Sequence, residues 1–301
     1  MAGELVPGPP SPPGLQALDC QHGDACIGCN SLMRNWIEKV VLVTGGSRGL
    51  GLEIARQFGM VGAIAVIVGR DPAALESAVE SLQGDLVECH AIVADVQDEV
   101  QVQRAIDQIV DKYGRLDVLV NNVGKSVRVD LKSVTAADFR EYMEINFLTA
   151  VNCTRAAMPH LAESQGHVVN IGSLACKTAF PFVAPYSASK FALAAYTHQL
   201  RLEGPPGVHG MLVCPGPIKR RDSHSRYCNS AGDLPASAKL PAAGARIEGI
   251  SPERLARKII KGCEKRSREV IFPFRARILF TVMAYSPPLG DWLLRRVMRD
   301  K

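Results

Sequence analysis

Short apolar runs rich in Val, Ile and Leu recur along the chain at Lys39–Thr44, Ala63–Val68, His90–Ala94, Leu116–Asn121, His167–Ile171, Met211–Cys214 and Val270–Phe272. These runs are near-continuous rather than alternating, as expected of strands covered on both faces in a parallel sheet. The stretches between them have helical length. Leu50, Ile54 and Phe58 recur every four residues and mark the buried face of the first helix. Asp71-Pro72 and Ser251-Pro252 each place a capping side chain before a proline at the first helical position. About seven strands with intervening helices predict one α/β domain: an open, doubly wound parallel sheet with helices on both faces.

The pattern stops at both ends. Pro7-Gly8-Pro9-Pro10-Ser11-Pro12-Pro13-Gly14 cannot pack a core, so residues 1–34 are expected to be a disordered extension preceding a domain at 35–273. Cys20, His22, Cys26 and Cys29 are ligand types that zinc accepts, but they crowd into ten residues where structural sites pair two separated halves. No metal is expected. Residues 274–301 hold two amphipathic helical pieces separated at Ser286-Pro287-Pro288. In the second, Leu289, Leu293 and Val297 share one face and Asp291, Arg295 and Arg299 another. Neither piece is long enough to span a bilayer. They are expected to pack on their own protein, over a substrate pocket or a subunit interface, with at most weak contact with acidic membranes.

Composition narrows the class. The chain has 301 residues, 47% of them hydrophobic and 22% charged, which suits a globular protein with a large core. Its start lacks the basic flank and apolar stretch of a secretory signal, and its nine cysteines fit reduced thiols, so a cytoplasmic protein is expected. The net charge of +5 is uneven: from Ser251 to Lys301 there are 13 Lys/Arg against 5 Asp/Glu, a balance of +8 that leaves the rest at −3. No nucleic-acid recognition motif accompanies this charge, so no nucleic-acid partner is expected.

The candidate chemistry lies where strands run into helices. After the first strand, Thr44-Gly45-Gly46-Ser47-Arg48-Gly49-Leu50-Gly51 spaces Gly45, Gly49 and Gly51 so that a dinucleotide's phosphates can approach the backbone at a helix N-terminus. Far downstream, Ser173 follows the fifth strand, with Tyr186 thirteen residues later and Lys190 four residues after that. On a helix, Lys190 lies one turn beyond Tyr186 on the same face. A nearby ammonium lowers a phenol's pKa from about 10, so the pair can protonate a carbonyl that the serine hydroxyl polarises. Arg48 and Arg70 suit a 2′-phosphate, while Asp71 is more economically a helix cap.

In this order and spacing the motifs resemble the short-chain dehydrogenase/reductase family over roughly Lys39 to Pro273. The resemblance implies a Rossmann-like fold and cofactor contacts from Gly45, Ser47, Arg48, Gly49, Leu50, Gly51, Arg70, Asp95, Val96, Asn122, Gly124, Tyr186, Lys190, Pro215, Gly216 and Ile218. Asp95-Val96 would edge the adenine, and Asn121-Asn122-Val123-Gly124 is similar to the family's Asn-Asn-Ala-Gly, with Val in place of Ala. Gly69 stands where family members that use NAD commonly place an acid, so NADP(H) is favoured over NAD(H). By the same resemblance Asn146 joins Ser173, Tyr186 and Lys190 in a catalytic tetrad. Pro215-Gly216-Pro217-Ile218 is similar to the family's turn beside the nicotinamide, but Lys219-Arg220-Arg221 follows where a small polar residue is common. Residues 219–250 then form a long candidate substrate loop or lid.

The expected function is NADP(H)-dependent interconversion of a ketone and a secondary alcohol on a steroid- or lipid-like substrate, with Phe180 and Phe182 lining an apolar pocket. Reduction of a 3-oxoacyl thioester on an acidic carrier is the alternative. A non-catalytic NADP(H)-binding sensor or scaffold is the reading from another class. The resemblance also implies a homodimer or homotetramer.

Overall fold

The computed structural model describes residues 35–219, 234–235, 238 and 249–298. The extension at 1–34, with Cys20, His22, Cys26 and Cys29, lies outside the described residues, as do Arg220, Arg221 and most of the loop after them. Seven strands form one parallel sheet in the order β3-β2-β1-β4-β5-β6-β7. They are β1 Val40–Thr44, β2 Ile64–Gly69, β3 Cys89–Val93, β4 Val118–Asn121, β5 His167–Ile171, β6 His209–Pro215 and β7 Glu269–Phe272. Between them run α1 Gly49–Met60, α2 Pro72–Gly84, α3 Glu99–Tyr113, α4 Ala136–Met143, α5 Thr149–Glu163, α6 Ala184–Glu203 and α7 Pro252–Glu264; α8 Arg275–Tyr285 and α9 Pro287–Met298 follow β7.

Alternate residues of each strand face opposite layers. Val41 and Val43 pack with Leu50, Ile54 and Phe58 of α1 and Ile259 of α7, while Val40 and Leu42 pack with Ile106 and Ile109 of α3 and Leu161 of α5. Both layers are buried, which is why the strands read as continuous apolar runs. All seven expected strands are present, β5 with the expected bounds and the others with ends shifted by one or two residues. β6 starts at His209 rather than Met211, and β4 at Val118 rather than Leu116. The Asp117 carboxylate accepts from the Val40 backbone N–H at 3.0 Å and from Arg115 and Lys39, and so ties the strand's entry to β1 through its side chain. The direction of winding reverses between β1 and β4, which opens a crevice beyond the carboxyl ends of these two strands.

A buried polar ladder holds the sheet to its helices near that crevice. Asn121 of β4 donates to Thr154 of α5 and to Asn170 of β5, and Asn170 donates in turn to Thr197 of α6. At the opposite ends of the strands, His167 and His209 meet edge to face at 5.5 Å, with Trp36 beside them. Burial, followed by the proximity of His209 and Arg266, pushes the His167 imidazole down to about 4. An unfolded histidine binds its proton near pH 6.5. Between these values the unfolded chain takes up a proton that the folded protein refuses, so this stabilisation is present above pH 6.5 and is lost as pH falls towards 4. It amounts to about 3 kcal/mol at most. Urea unfolding at pH 7 and 4.5 should show this loss, and His167→Gln should flatten it; an equal pH slope in the variant would remove the histidine from the explanation.

Candidate active site

The glycine loop turns from β1 into α1. Gly45 and Gly49 have φ of 63° and 59°, the left-handed region that favours glycine. Gly51 is required for a different reason: a Cβ there would stand 2.3 Å from the Gly45 carbonyl oxygen and 2.5 Å from Asn122 Nδ2. Arg48 precedes α1 in extended backbone, and the helix has neither a side-chain cap nor an acid in its first turn. Its leading N–H groups are left to an anion, so the loop fits a pyrophosphate. Asn122 fastens this loop to the end of β4: its Nδ2 donates to the Thr44 and Gly45 carbonyls at 3.0 and 3.2 Å, and its N–H donates to Thr44 Oγ1 at 3.0 Å.

At the end of β2, Asp71 accepts from the Ala74 N–H at 3.2 Å and caps α2, so its carboxylate is committed to the helix. Arg70 is largely exposed and reaches Asp95 after β3, with Nη1 to Oδ2 at 3.5 Å. Asp95 also accepts from the Gln97 N–H, and Val96 beside it is buried. Ser47 Oγ lies against Gly69. The loops after β2 and β3 thus meet through Arg70 and Asp95.

The other half of the crevice holds Asn146, Ser173, Tyr186 and Lys190. Tyr186 and Lys190 stand one turn apart on α6, with Lys190 Nζ 5.9 Å from the centre of the Tyr186 ring. Lys190 is buried, and its Nζ donates to the Ile171 carbonyl at 2.8 Å. Burial pushes its pKa below the usual lysine value. Ser173 leaves β5 and caps a short 3₁₀ turn, Leu174–Cys176, where its Oγ accepts from the Ala175 N–H at 3.1 Å. Asn146 sits in a π-helical turn, Glu144–Leu148, between α4 and α5 rather than in regular helix. Its Oδ1 accepts from the Lys125 N–H at 2.7 Å, and its Nδ2 donates to the Lys125 carbonyl and to Ser189 Oγ, each at 3.0 Å. Ser189 donates onward to the Tyr186 carbonyl at 2.8 Å. Gly124 leaves room at the junction: a Cβ there would lie 3.1 Å from Asn146 Oδ1 and 3.4 Å from Lys190 Nζ.

Ser173, Tyr186 and Lys190 border a cavity of about 180 Å³, where they face Leu50, Asn122 and Gly124 of the loop half; Asn146, Arg70, Asp95 and the loop glycines lie outside its lining. Pro215, Gly216 and Ile218 line it from the end of β6. Leu174, Phe180 and Val183 supply an apolar wall. Val183, not Phe182, completes that wall. Phe182 is half-buried outside the lining; its φ is 63° and its carbonyl accepts from the Val129 N–H. The base of the 219–250 loop is closed by a bridge, in which Lys219 N–H donates to the Ile250 carbonyl and Ile250 N–H to the Pro217 carbonyl.

Several supporting residues are not evident from the sequence. Thr44 joins the two cofactor-side loops, Ser189 links Asn146 to the tyrosine turn, and Arg128 lines the cavity while its Nε donates to the Ala238 carbonyl at 3.0 Å. Ser189 had a usable signal, a hydroxyl between Tyr186 and Lys190. A lone arginine seven residues after Asn121 has none.

A family model described as short chain dehydrogenase matches residues 39–227. The chain is similar to 11-beta-hydroxysteroid dehydrogenase A of Sesamum indicum, 29% identical over 262 residues that cover 85% of this chain and 74% of that protein. It is similar to dehydrogenase/reductase SDR family member 7B of Xenopus laevis, 30% identical over 86% of this chain and 80% of that one. Ketoacyl reductase HetN of a Nostoc strain is 32% identical over 77% and 78%. In fold the chain is like an alcohol dehydrogenase from Thermococcus sibiricus solved with 5-hydroxy-NADP, with a TM-score of 0.65 and 23% identity over 77% of this chain and 94% of that one.

Proposed function

The chain belongs to the short-chain dehydrogenase/reductase family, oxidoreductases acting on CH–OH and C=O groups, and from that premise we propose that it interconverts a ketone and a secondary alcohol on a hydrophobic, steroid- or lipid-like substrate with NADP(H). The observation that carries this reading is the single cavity in which Ser173, Tyr186 and Lys190 face the glycine loop across an apolar wall. Bound NADPH supplies the hydride. In the reductive direction Ser173 Oγ donates a hydrogen bond to the substrate carbonyl oxygen, and the Tyr186 hydroxyl gives it a proton. Lys190 holds the nicotinamide ribose, and its ammonium stabilises the phenolate that Tyr186 becomes. Asn146 supports the relay by fixing Lys125 and the turn that carries Tyr186.

Gly45, Ser47, Arg48, Gly49, Leu50 and Gly51 hold the cofactor's phosphates in this reading. Asp95 and Val96 edge the adenine, and Asn122, Gly124, Pro215, Gly216 and Ile218 enclose the nicotinamide half. Arg48 and Arg70 select the 2′-phosphate, with Arg70 exchanging Asp95 for it. Each charge-assisted hydrogen bond contributes about 1.5–3 kcal/mol, so NADPH should bind at least ~10-fold more tightly than NADH. Fluorescence titration measures this. Arg70→Asp should abolish or reverse the preference, and equal dissociation constants in the parent protein would end the assignment.

A 3-oxoacyl thioester is the second substrate class, supported by the likeness to the Nostoc ketoacyl reductase and by Lys125 and Arg128 in the cavity wall. Following NADPH absorbance against steroid ketones, long-chain ketones and 3-oxoacyl thioesters tests the function. Turnover of the thioesters alone would favour the second class, and no turnover of any ketone would leave a cofactor-binding protein. A cytoplasmic homodimer or homotetramer remains part of the reading.

A further inference from the structure

The edge strand β7 borders a basic groove of about 570 Å³ outside the active site. Lys258, Lys261 and Lys265 of the α7 region, Arg201 of α6, Arg268 before β7 and Arg277 of α8 converge on it. Its one carboxylate, Glu269, is already paired with Lys177. Phe274 of the same groove begins an outward stripe along α8, where Phe274, Ile278, Thr281 and Tyr285 recur at helical spacing and are exposed. Phe274 is 65% and Ile278 62% accessible. Helix α9 lies back on α8, with Gly290 closing onto Met283, and exposes Leu289 and Trp292, with Arg296 over the indole at 5.2 Å. α9 thus packs on α8, α8 touches β7 and buries Phe280, and the pair turns apolar side chains outward.

We propose that this face docks on an anionic lipid bilayer, with the α8–α9 stripe at the headgroup boundary and the β7 groove taking acidic headgroups. The two features together choose the occupant. An outward stripe with Tyr285 and Trp292 matches an interfacial helix, and clustered cations beside it match an anionic surface. A second copy of the chain fits poorly, because a two-fold contact would set the unbalanced groove against itself. Among the described residues no helix is long and apolar enough to cross a membrane, so the attachment lies on the surface. The α8–α9 pair also starts at the cavity: Pro273, one residue before Phe274, touches Gly216 of the cavity wall. Docking here brings the cavity's flank to the membrane.

The test is co-sedimentation of the full chain with vesicles of phosphatidylcholine alone and with an equal share of phosphatidylglycerol, which reads binding whatever carbonyl the enzyme reduces. Binding is expected only to the anionic vesicles and should weaken with salt. Each cation at such a surface strengthens binding roughly five-fold. The combined variant Lys258→Glu, Lys261→Glu, Lys265→Glu should therefore bind at least ~100-fold more weakly. Ile278→Ser with Trp292→Ser should also weaken binding at least ten-fold, with the thermal midpoint checked for both variants. No binding to either vesicle would overturn the proposal, as would equal binding by parent and variants. Retention on soluble polyphosphate with no vesicle binding, or a concentration-dependent dimer lost in the Ile278→Ser, Trp292→Ser variant, would assign the face to another occupant and overturn it as well.

Discussion

Tyr186→Phe is expected to bind NADPH as the parent protein does and to reduce a ketone substrate at least ~10²-fold more slowly, the typical contribution of a positioned general acid. The substitution removes one hydroxyl and keeps the ring. The contact of Lys190 with that ring at 5.9 Å, its bond to the Ile171 carbonyl and the Asn146–Ser189 link to the backbone do not involve the phenol oxygen. Loss of turnover without loss of cofactor affinity therefore isolates proton transfer. Lys190→Met should damage both, because in the proposed mechanism the buried ammonium serves ribose and phenol together. Steady-state rates and a fluorescence titration on the two variants make the comparison. A phenylalanine variant that turns over at the parent rate would refute the mechanism.

Gly51→Ala should be strongly damaging to both the fold and cofactor binding. Its Cβ would press on the Gly45 carbonyl at 2.3 Å and on the Asn122 amide at 2.5 Å, and neither is the free end of a flexible side chain. Relief requires moving the loop proposed to hold the phosphates or breaking the bonds from Asn122 to Thr44 and Gly45. Overpacking of this kind costs about 3 kcal/mol, and NADPH binding should fall below detection. Gly49→Ala is the informative contrast. A Cβ there meets nothing within 4 Å, so only its left-handed φ of 59° resists, at about 1 kcal/mol. Urea unfolding and cofactor titration separate the two; equal effects would mean that backbone conformation, not close approach, sets the glycine pattern.

The sheet was legible because its inner strands β1, β2, β4, β5 and β6 are buried on both faces, so their residues carry the signal without regard to neighbours; the edge strands β3 and β7 are only half-buried. The tyrosine and lysine were legible for a local reason, since four residues on a helix fix their relation. Asn146 was visible as a residue but not as a geometry. Its turn is π-helical, and its partners, Lys125 and Ser189, lie 21 and 43 positions away. Arg128 acts across 110 residues on a backbone carbonyl, which no side-chain pattern encodes. Phe182 misled because aromatic character does not say which of two neighbouring apolar side chains reaches a cavity, and Val183 does so instead. The outward stripe of α8 was hidden for a similar reason. Periodicity identifies a helical face, but only packing decides which face is covered, and here Leu289, grouped with the apolar face, is exposed.

The paired hydrogen bonds between Lys219 and Ile250 and between Ile250 and Pro217 bring the two ends of a thirty-residue excursion side by side. A stretch tied off at its base is, in evolutionary terms, an interchangeable cassette. Its closure has been met by the bridge, and the entropy of closing a loop grows slowly with length, by about 0.6 kcal/mol per doubling. The tie holds the two strand ends together, and within the stretch the Ala238 carbonyl reaches back to Arg128 of the cavity wall. On the proposed function, a lineage carrying this bridge would change its substrate by rewriting this one segment, provided the contact from Arg128 to Ala238 is kept.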